Sequence, residues 1–489
     1  MTPVLALLLT LALPAASAVL TAILRRPPGL RDVIHIGFAC ALATACAYLL
    51  QVSLHQETPA RLVLARPLPN VELAFVLEPL GALMGAVLGG LGVLHAIHTV
   101  GFVRATQELA PARTMSFLSF GAAATLAVMY SANLFTFFVA YQALTLATFP
   151  LVALGGGDEG RRAARTYLAV LLAASVGLFL PAMVWTYALT GVIDFRIGGA
   201  LAGRVDEITA NVLLALFTLG VAMAAIPPVH GWLSASNRAS FPSLTAIQSL
   251  AVIPAGGVGV LKITAYVFGA AMHDARWAAL GLLVVVGVSM CGAALIALSR
   301  QDIRERLAYS AMAQSLAAAM GALLALPAGA FAAALQLVSL TCAGATLVMA
   351  AGTVFATTGR TNVADYSGLG RAMPWTFAAF AIGAASMIGM PPFSGAWAKL
   401  WLITAAADAG LHWAAVMAGV TAVLTFAHLA PLAASALAGP APTDPFKRPD
   451  GASVFLVAPA ILSALATLWL LVLADPLATF LAPLWAEPP

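Results

Sequence analysis

Ile226-Pro227-Pro228-Val229-His230-Gly231-Trp232 and Met390-Pro391-Pro392-Phe393-Ser394-Gly395-Ala396-Trp397 share one device, a proline pair set inside a long apolar run. Proline has no N–H to donate and its ring clashes with the preceding turn, so each pair is expected to break the helix it sits in. The surrounding runs, 209–232 and 374–407, are long enough to cross a hydrocarbon core of roughly 30 Å. Broken helices at matching places in two halves of a chain point to a transport site near the midplane. Irregular backbone at that depth is tolerated only where it lines protein or a cavity. The plainer alternative is a pair of unrelated kinks, since proline is common in membrane helices.

Working outward, the composition leaves lipid as the only reasonable solvent. Of 489 residues, 62% are hydrophobic and 9% charged, against about 25% charged in soluble domains. A soluble fold could not hide that much apolar surface. Apolar stretches of spanning length fall at 3–24, 32–54, 74–103, 114–131, 133–154, 164–190, 209–232 and 242–270, then at 277–299, 306–325, 328–356, 374–407, 412–438 and 452–482. The expected fold is an all-α polytopic membrane protein of about fourteen transmembrane helices, with two inverted repeats broken at Pro227-Pro228 and Pro391-Pro392. Residues 1–489 form one membrane domain: 1–113 with spans one to three, 114–270 as the first repeat, 277–438 as the second and 452–482 as the last span. The apolar start, Thr2 to Leu24, has no positive residues before it and is longer than a signal-peptide core, so it is taken as the first span.

Charge tests the count. Loops leaving odd-numbered spans hold sixteen of the 23 Lys and Arg residues, among them Arg25, Arg26, Arg161, Arg162, Arg165, Arg300, Arg304, Arg306, Lys447 and Arg448. Loops leaving even-numbered spans hold only Arg61, Arg66, Arg196, Arg204 and Arg276. A wrong count would scramble that alternation, so the positive-inside rule predicts fourteen spans, with both termini on the non-cytoplasmic side.

A charge-carrying path needs titratable groups or water at depth, and ionisable residues inside spans are candidates by default. Lys399 lies two residues after Trp397, just past the second proline pair, and a lysine in a dry bundle is able to exchange protons near neutral pH. Lys262 is nearer a span end, where a snorkelling side chain is an equal reading. His230, at the first proline pair, reads equally as a path residue or a hydrogen-bonded histidine at a kink. His95, His98 and His428 read as structural or interfacial. The acids are peripheral, Glu78 near the start of span three among them, and no carboxylate sits at the centre of a span. Cys40, Cys46, Cys291 and Cys342 fall in apolar runs without C-x-x-C spacing and read as small core residues. No phosphate loop, dinucleotide fingerprint, zinc spacing, haem or iron–sulfur pattern or nucleophile motif is present, so no cofactor or metal is expected and this chain itself carries no redox chemistry.

Four stretches make a resemblance specific. They are Gln301-Asp302-Ile303-Arg304-Glu305-Arg306-Leu307-Ala308-Tyr309-Ser310 followed by Gln314; Ser131-Ala132-Asn133-Leu134; Pro228-Val229-His230-Gly231-Trp232-Leu233; and Gly389-Met390-Pro391-Pro392-Phe393-Ser394-Gly395 with Lys399. Over roughly residues 75 to 480 the chain resembles the antiporter-like membrane subunits of respiratory complex I, a family that includes the D-type subunit of Mrp sodium/proton antiporters and the ion-pumping subunits of membrane-bound hydrogenases. Length and C-terminus look more like the D-type antiporter subunit. The resemblance implies a proton path built from a Glu–Lys pair, a central lysine and an exit lysine. Here Tyr141-Gln142 stands for the usual Trp-Glu, Met223 for a lysine, Gln248 for a histidine, and Gln336, Leu340 and Gly344 for the histidines and lysine of span eleven. Lys399 keeps its family position. Glutamine can hydrogen-bond water but cannot carry the missing charge.

The implied function is a membrane subunit of a multisubunit proton- or cation-translocating complex, of the complex-I, membrane-hydrogenase or Mrp kind, with a degenerate path. Its expected partners are the lipid bilayer, other membrane subunits, a peripheral redox arm where the assembly is redox-driven, and protons or sodium, with no nucleic acid. Two alternatives stand beside it: a non-conducting scaffold of the same fold, and an independent secondary transporter with a solute at the proline breaks.

Overall fold

The computed structural model describes residues 2–24, 27–55, 59–108, 110–440 and 452–485. Arg25, Arg26, Lys447 and Arg448 of the charge count lie outside the described residues. Helices dominate. In chain order they are α1 (Pro3–Ile23), α2 (Pro28–His55), α3 (Pro79–Thr106), α4 (Pro111–Met129), α5 (Leu134–Ala153), α6 (Gly157–Thr190), α7 (Glu207–Gly220) and α8 (Phe241–Met272). The second set is α9 (Arg276–Ser299), α10 (Ile303–Leu323), α11 (Pro327–Thr358), α12 (Pro374–Ile388), α13 (Ser394–Asp408), α14 (His412–Ala438) and α15 (Val454–Leu481). Among the described residues, ten helices are long and apolar enough to cross a membrane: α1 to α6, α8, α9, α11 and α14.

One expectation is corrected. The chain is not all-α, because strands β1 (Arg61–Leu68) and β2 (Val71–Val76) form an antiparallel hairpin between α2 and α3. Leu62, Val63, Val71 and Phe75 suit a pleated surface, and Pro69-Asn70 makes the turn, with Asn70 in the left-handed region at φ 60°. Span three therefore begins at Pro79 and not at residue 74. Glu72 on β2 receives Arg61 at 2.8 Å and Arg66 at 2.9 Å. The hydrogen bond from Arg61 is the main cause that holds its carboxyl below the ordinary glutamate range.

α11 is the axis of the fold: every residue in its most apolar stretch is buried, and α8 is nearly as enclosed. Both are rich in Ala, Gly, Ser and Thr, which let backbones approach closely where lipid supplies no hydrophobic drive between helices. α9 instead turns Val284, Val285, Val288 and Leu295 outward, as a lipid-facing helix should. The four cysteines do not behave alike. Cys46 and Cys342 are buried, Cys291 is intermediate and Cys40 is exposed, on an outward face of α2.

Two loops carry an identical backbone stitch. Leu134 N–H donates to Ile193 O at 2.9 Å and Phe195 N–H to Ala132 O at 3.1 Å, around a bridge between Asn133 and Asp194. Ile303 N–H donates to Thr361 O at 2.9 Å and Val363 N–H to Gln301 O at 2.8 Å, around a bridge between Asp302 and Asn362. Asn133 and Asp302 also cap α5 and α10 with their side chains, each accepting a backbone N–H at 2.8 Å.

Candidate ion path

The helix ending at Ile388 resumes only at Ser394. In an unbroken helix the carbonyl of Met387 would take the N–H of residue 391, but residue 391 is proline and has none. That freed oxygen accepts from Lys399 Nζ at 2.8 Å. The second acceptor of the ammonium is Gln314 Oε1 on α10, at 2.7 Å. The same oxygen accepts from Gln336 Nε2 on α11 at 2.9 Å. Lys399, Gln314 and Gln336 are thus one buried string across three helices. Among the described residues no carboxylate pairs with Lys399; its charge rests on neutral oxygens.

Gly389 makes room for the lysine stem. Its φ is +94°, and a Cβ there would lie 2.6 Å from Lys399 Cδ, so any side chain would push the lysine away. Along the string, Gln314 Nε2 and Gln336 Oε1 are buried without a protein partner. Buried polar atoms of this kind are ordinarily satisfied by internal water. Behind the break, Ser394 Oγ reaches both Ser339 Oγ at 3.0 Å and Ser386 Oγ at 3.1 Å, tying α13 to α11 and α12.

The first break has the opposite character. α7 stops at Gly220, a single 3-10 turn covers Ala222–Ala224, and helix resumes at Trp232–Ser236. Ala224, four residues before Pro228, has its carbonyl taken by Ser315 Oγ at 2.8 Å. Trp232 Nε1 donates to Ala222 O at 2.8 Å, and Met223 N–H donates to Tyr141 OH at 3.0 Å. Met223, Ala224 and Ala225 are wholly buried. This break is closed by the neutral side chains of Tyr141, Trp232 and Ser315.

Lys262, with no side-chain exposure, sits in an ion pair of its own. Its Nζ is 2.6 Å from Glu78 Oε1 and donates to Met129 O at 2.7 Å and Ser131 O at 3.0 Å. The pair joins the start of α3, the end of α4 and α8, and shares no partner with the Lys399 string. Sequence reading placed Glu78 at a span end without a partner; 184 residues separate it from Lys262, and nothing local signals the pairing. Gln142 Nε2 donates to Ser175 Oγ at 2.9 Å, at the start of the π-turn Ser175–Phe179 inside α6. Gln248 lies in another π-turn, Ala246–Leu250 of α8, where Nε2 faces Asn237 Oδ1 at 3.3 Å and Oε1 is buried without a partner. π-turns inside helices are frequent at functional sites, and no sequence signal announced these. His230 is half-buried at the first break and joins neither lysine.

His95, His98 and His428 all bond main-chain carbonyls, of Pro242, Met349 and Leu424 respectively. Of the six polar path candidates, the structure brings together Lys399 and Gln336. It adds Gln314, which stood in the quoted sequence without a role, and leaves Lys262, His230, Gln142 and Gln248 in separate surroundings.

Comparison with known proteins follows the same lines. A profile of the transmembrane family described as NADH:quinone oxidoreductase/Mrp antiporter matches residues 131–425. The N-type subunit of the NADH-quinone oxidoreductase of Desulforudis audaxviator is 26% identical over 401 residues, which is 80% of this chain and 78% of that protein. The D-type subunit of the Na(+)/H(+) antiporter of Alkalihalophilus pseudofirmus is 24% identical over 375 residues, covering 76% and 74%. A chain in the structure of the Mrp complex from a Dietzia species superposes with a TM-score of 0.86 at 25% identity, over 100% of this chain and 98% of that one.

Proposed function

Since the chain belongs to the NADH:quinone oxidoreductase/Mrp antiporter transmembrane family, we propose that it is a membrane subunit of a multisubunit proton- or cation-translocating complex, conducting through Lys399. The observation that carries this reading is the Lys399 ammonium, held at a proline break by a freed carbonyl and a glutamine oxygen, with no carboxylate to fix it. A cation site built from neutral oxygens can give up a proton without leaving a buried anion behind. Gln314, Gln336 and internal water extend the site towards the centre.

The domain plan belongs to the same proposal. The ten long helices, with α7, α10, the α12–α13 pair and α15 as the other four, support fourteen spans. The repeated stitch at Asn133 and Asp302, and the two proline breaks, support inverted repeats over 114–270 and 277–438, flanked by 1–113 and 452–482. With charge asymmetry, the plan has both termini outside the cytoplasm of a bacterial inner membrane. Further membrane subunits and a peripheral redox arm are its partners in this reading, as the relatives' complexes suggest.

A second reading has an observation of its own. The closed first break, with Met223 and Gln142 at the positions where the resemblance implies Lys and Glu, favours a scaffold that conducts nothing. The test is Lys399→Ala in the purified complex reconstituted into vesicles. The conducting reading expects ion flux to fall by at least ~10-fold while the complex still assembles, with Gln142→Ala nearly neutral. Unchanged flux in Lys399→Ala leaves the scaffold. Mild-detergent copurification identifies the partners: redox subunits for a complex-I-like or hydrogenase-like machine, small antiporter subunits for Mrp.

A further inference from the structure

α1 to α5 and α8 enclose a cavity of about 80 Å³ in the half of the bilayer that the charge asymmetry assigns to the cytoplasm. Its walls are largely apolar, but Ser17, His35, His95 and Ser119 face it. Ser17 Oγ and Ser119 Oγ are 3.1 Å apart, and Ser119 Oγ is 3.2 Å from His35 Nδ1. Within one turn of His35, buried Asp32 bridges Arg31 and Arg104, both at 2.8 Å, and Arg104 is half exposed. This charged cluster does not line the cavity; it lies beside it, within a turn of His35 on α2. Across the cavity, His95 Nε2 lies 2.8 Å from the Pro242 carbonyl. It must be the N–H of the neutral ring, which leaves Nδ1 as an acceptor.

The inner wall includes Ala246, Leu250 and Ala251, the backbone of the π-turn that carries Gln248 and Ser249. Gln248 Oε1 and Ser249 Oγ are buried without partners. Ser249 Oγ packs against Gly344 on α11, the helix of Gln336. One water occupies at least ~10–15 Å³ of such volume, so the cavity has room for a short water chain. The serine–imidazole pair, the second imidazole and one side of the π-turn thus share a single cavity.

We propose that this cavity is a proton-loading chamber, with water and protons as its ligands, and that it takes the place of an inlet through the closed first break. The proposal rests on the conducting function and orientation given above. His35 gains a proton on one ring nitrogen from chamber water and releases the proton of the other through Ser119 or a second chamber water, so the ring ends neutral. His95 takes and returns its proton at Nδ1, since Nε2–H is committed to Pro242. Each transfer makes one N–H bond and breaks one O–H bond, or the reverse. The charged or titratable groups around the two rings, which also face each other, are Arg31, Asp32 and Arg104 beside His35, and His98 one turn from His95.

The experiment uses the whole complex in vesicles with an internal pH dye, comparing His35→Ala, His95→Ala, Gly92→Leu and Lys399→Ala. Gly92 lines the chamber, and a Cβ there meets nothing within 4 Å, so leucine starts without a clash, takes up chamber volume and removes no titratable group. Each chamber variant is expected to lose at least ~10-fold of proton flux, with His35→Ala partly restored by millimolar imidazole and Gly92→Leu not restored. Loss in His35→Ala without imidazole rescue would mean a packing role and overturn the proposal. Full flux in the three chamber variants with loss in Lys399→Ala would refute the chamber and keep the conducting function. Full flux in Lys399→Ala, with loss in the chamber variants and rescue of His35→Ala, would keep the chamber and refute conduction through Lys399. No flux in the unmodified complex would end both. Should His35→Ala fail to assemble, His35→Asn and Gly92→Leu decide.

Discussion

The Nζ of Lys399 has two acceptors, and only one of them, Gln314 Oε1, comes from a side chain. Replacing Gln314 with Leu leaves the ammonium a single carbonyl and strands Gln336 Nε2 as well. A hydrogen bond to a charged group contributes about 1.5–3 kcal/mol, so Gln314→Leu is expected to lower the subunit's stability by that order. The pair with Lys399→Met should recover part of it, because the stranded charge has gone. Thermal unfolding of the two single variants and the double variant in detergent measures this. A double variant no more stable than Gln314→Leu would show that the buried charge is not what Gln314 supports. Lys262 likewise has one close side-chain partner, the carboxylate of Glu78, but two main-chain carbonyls beside it where Lys399 has one. The two lysines look alike in sequence and differ in what holds them.

At the scale of elements, the hairpin is the part of the fold that charge outside the membrane controls. Glu72 is the shared partner of Arg61 and Arg66, and Arg61 also reaches Asp194 at 3.2 Å. A carboxyl whose folded pKa is depressed stabilises the fold above its unfolded value, and that contribution disappears as pH falls through the folded value. The hairpin is therefore expected to loosen below the ordinary glutamate range. Hydrogen exchange of the β1 and β2 amides should quicken there, and Glu72→Gln should exchange faster at neutral pH with little further acid response. An acid response unchanged in Glu72→Gln would show that Glu72 is not what holds the hairpin. The hairpin also marks where sequence reading ran short. The Leu, Ala, Phe and Val of β2 merge with the apolar run of span three, and the Pro69-Asn70 turn lies before β2, not between it and that span. The helix breaks were legible because proline acts on its own turn. The partners of both lysines were not, because 85 residues separate Gln314 from Lys399 and the π-turns that position Gln142's partner and Gln248 have no residue signature.

For the molecule as a whole, the proposed fourteen spans make one testable demand on topology. The start of α6, with Arg161 to Arg165, and the start of α10, with Arg304 and Arg306, are both expected to face the cytoplasm, although the proposal puts them in different repeats. In a cysteine-free background, single cysteines at Arg162 and Arg304 should be blocked only by permeant reagents applied to intact cells. Labelling of either by an impermeant reagent from outside would break the count between the two. The stitched loops share this logic: with inverted repeats, Asn133 lies at the non-cytoplasmic end and Asp302 at the cytoplasmic end, so the same bonds close opposite faces.

The closed first break has a historical consequence. Trp232 and Ser315 already occupy the carbonyls of Ala222 and Ala224, the backbone acceptors on either side of Met223 that a cation there would need. Met223→Lys alone would bury a charge among satisfied neighbours, at a cost of several kcal/mol, and is expected to reduce membrane accumulation of the protein and not to open a path. Gln142→Glu alone would strand an anion in the same way. A lineage that has crossed to this state is held there by a ratchet: each backward step is selected against unless the other arrives with it.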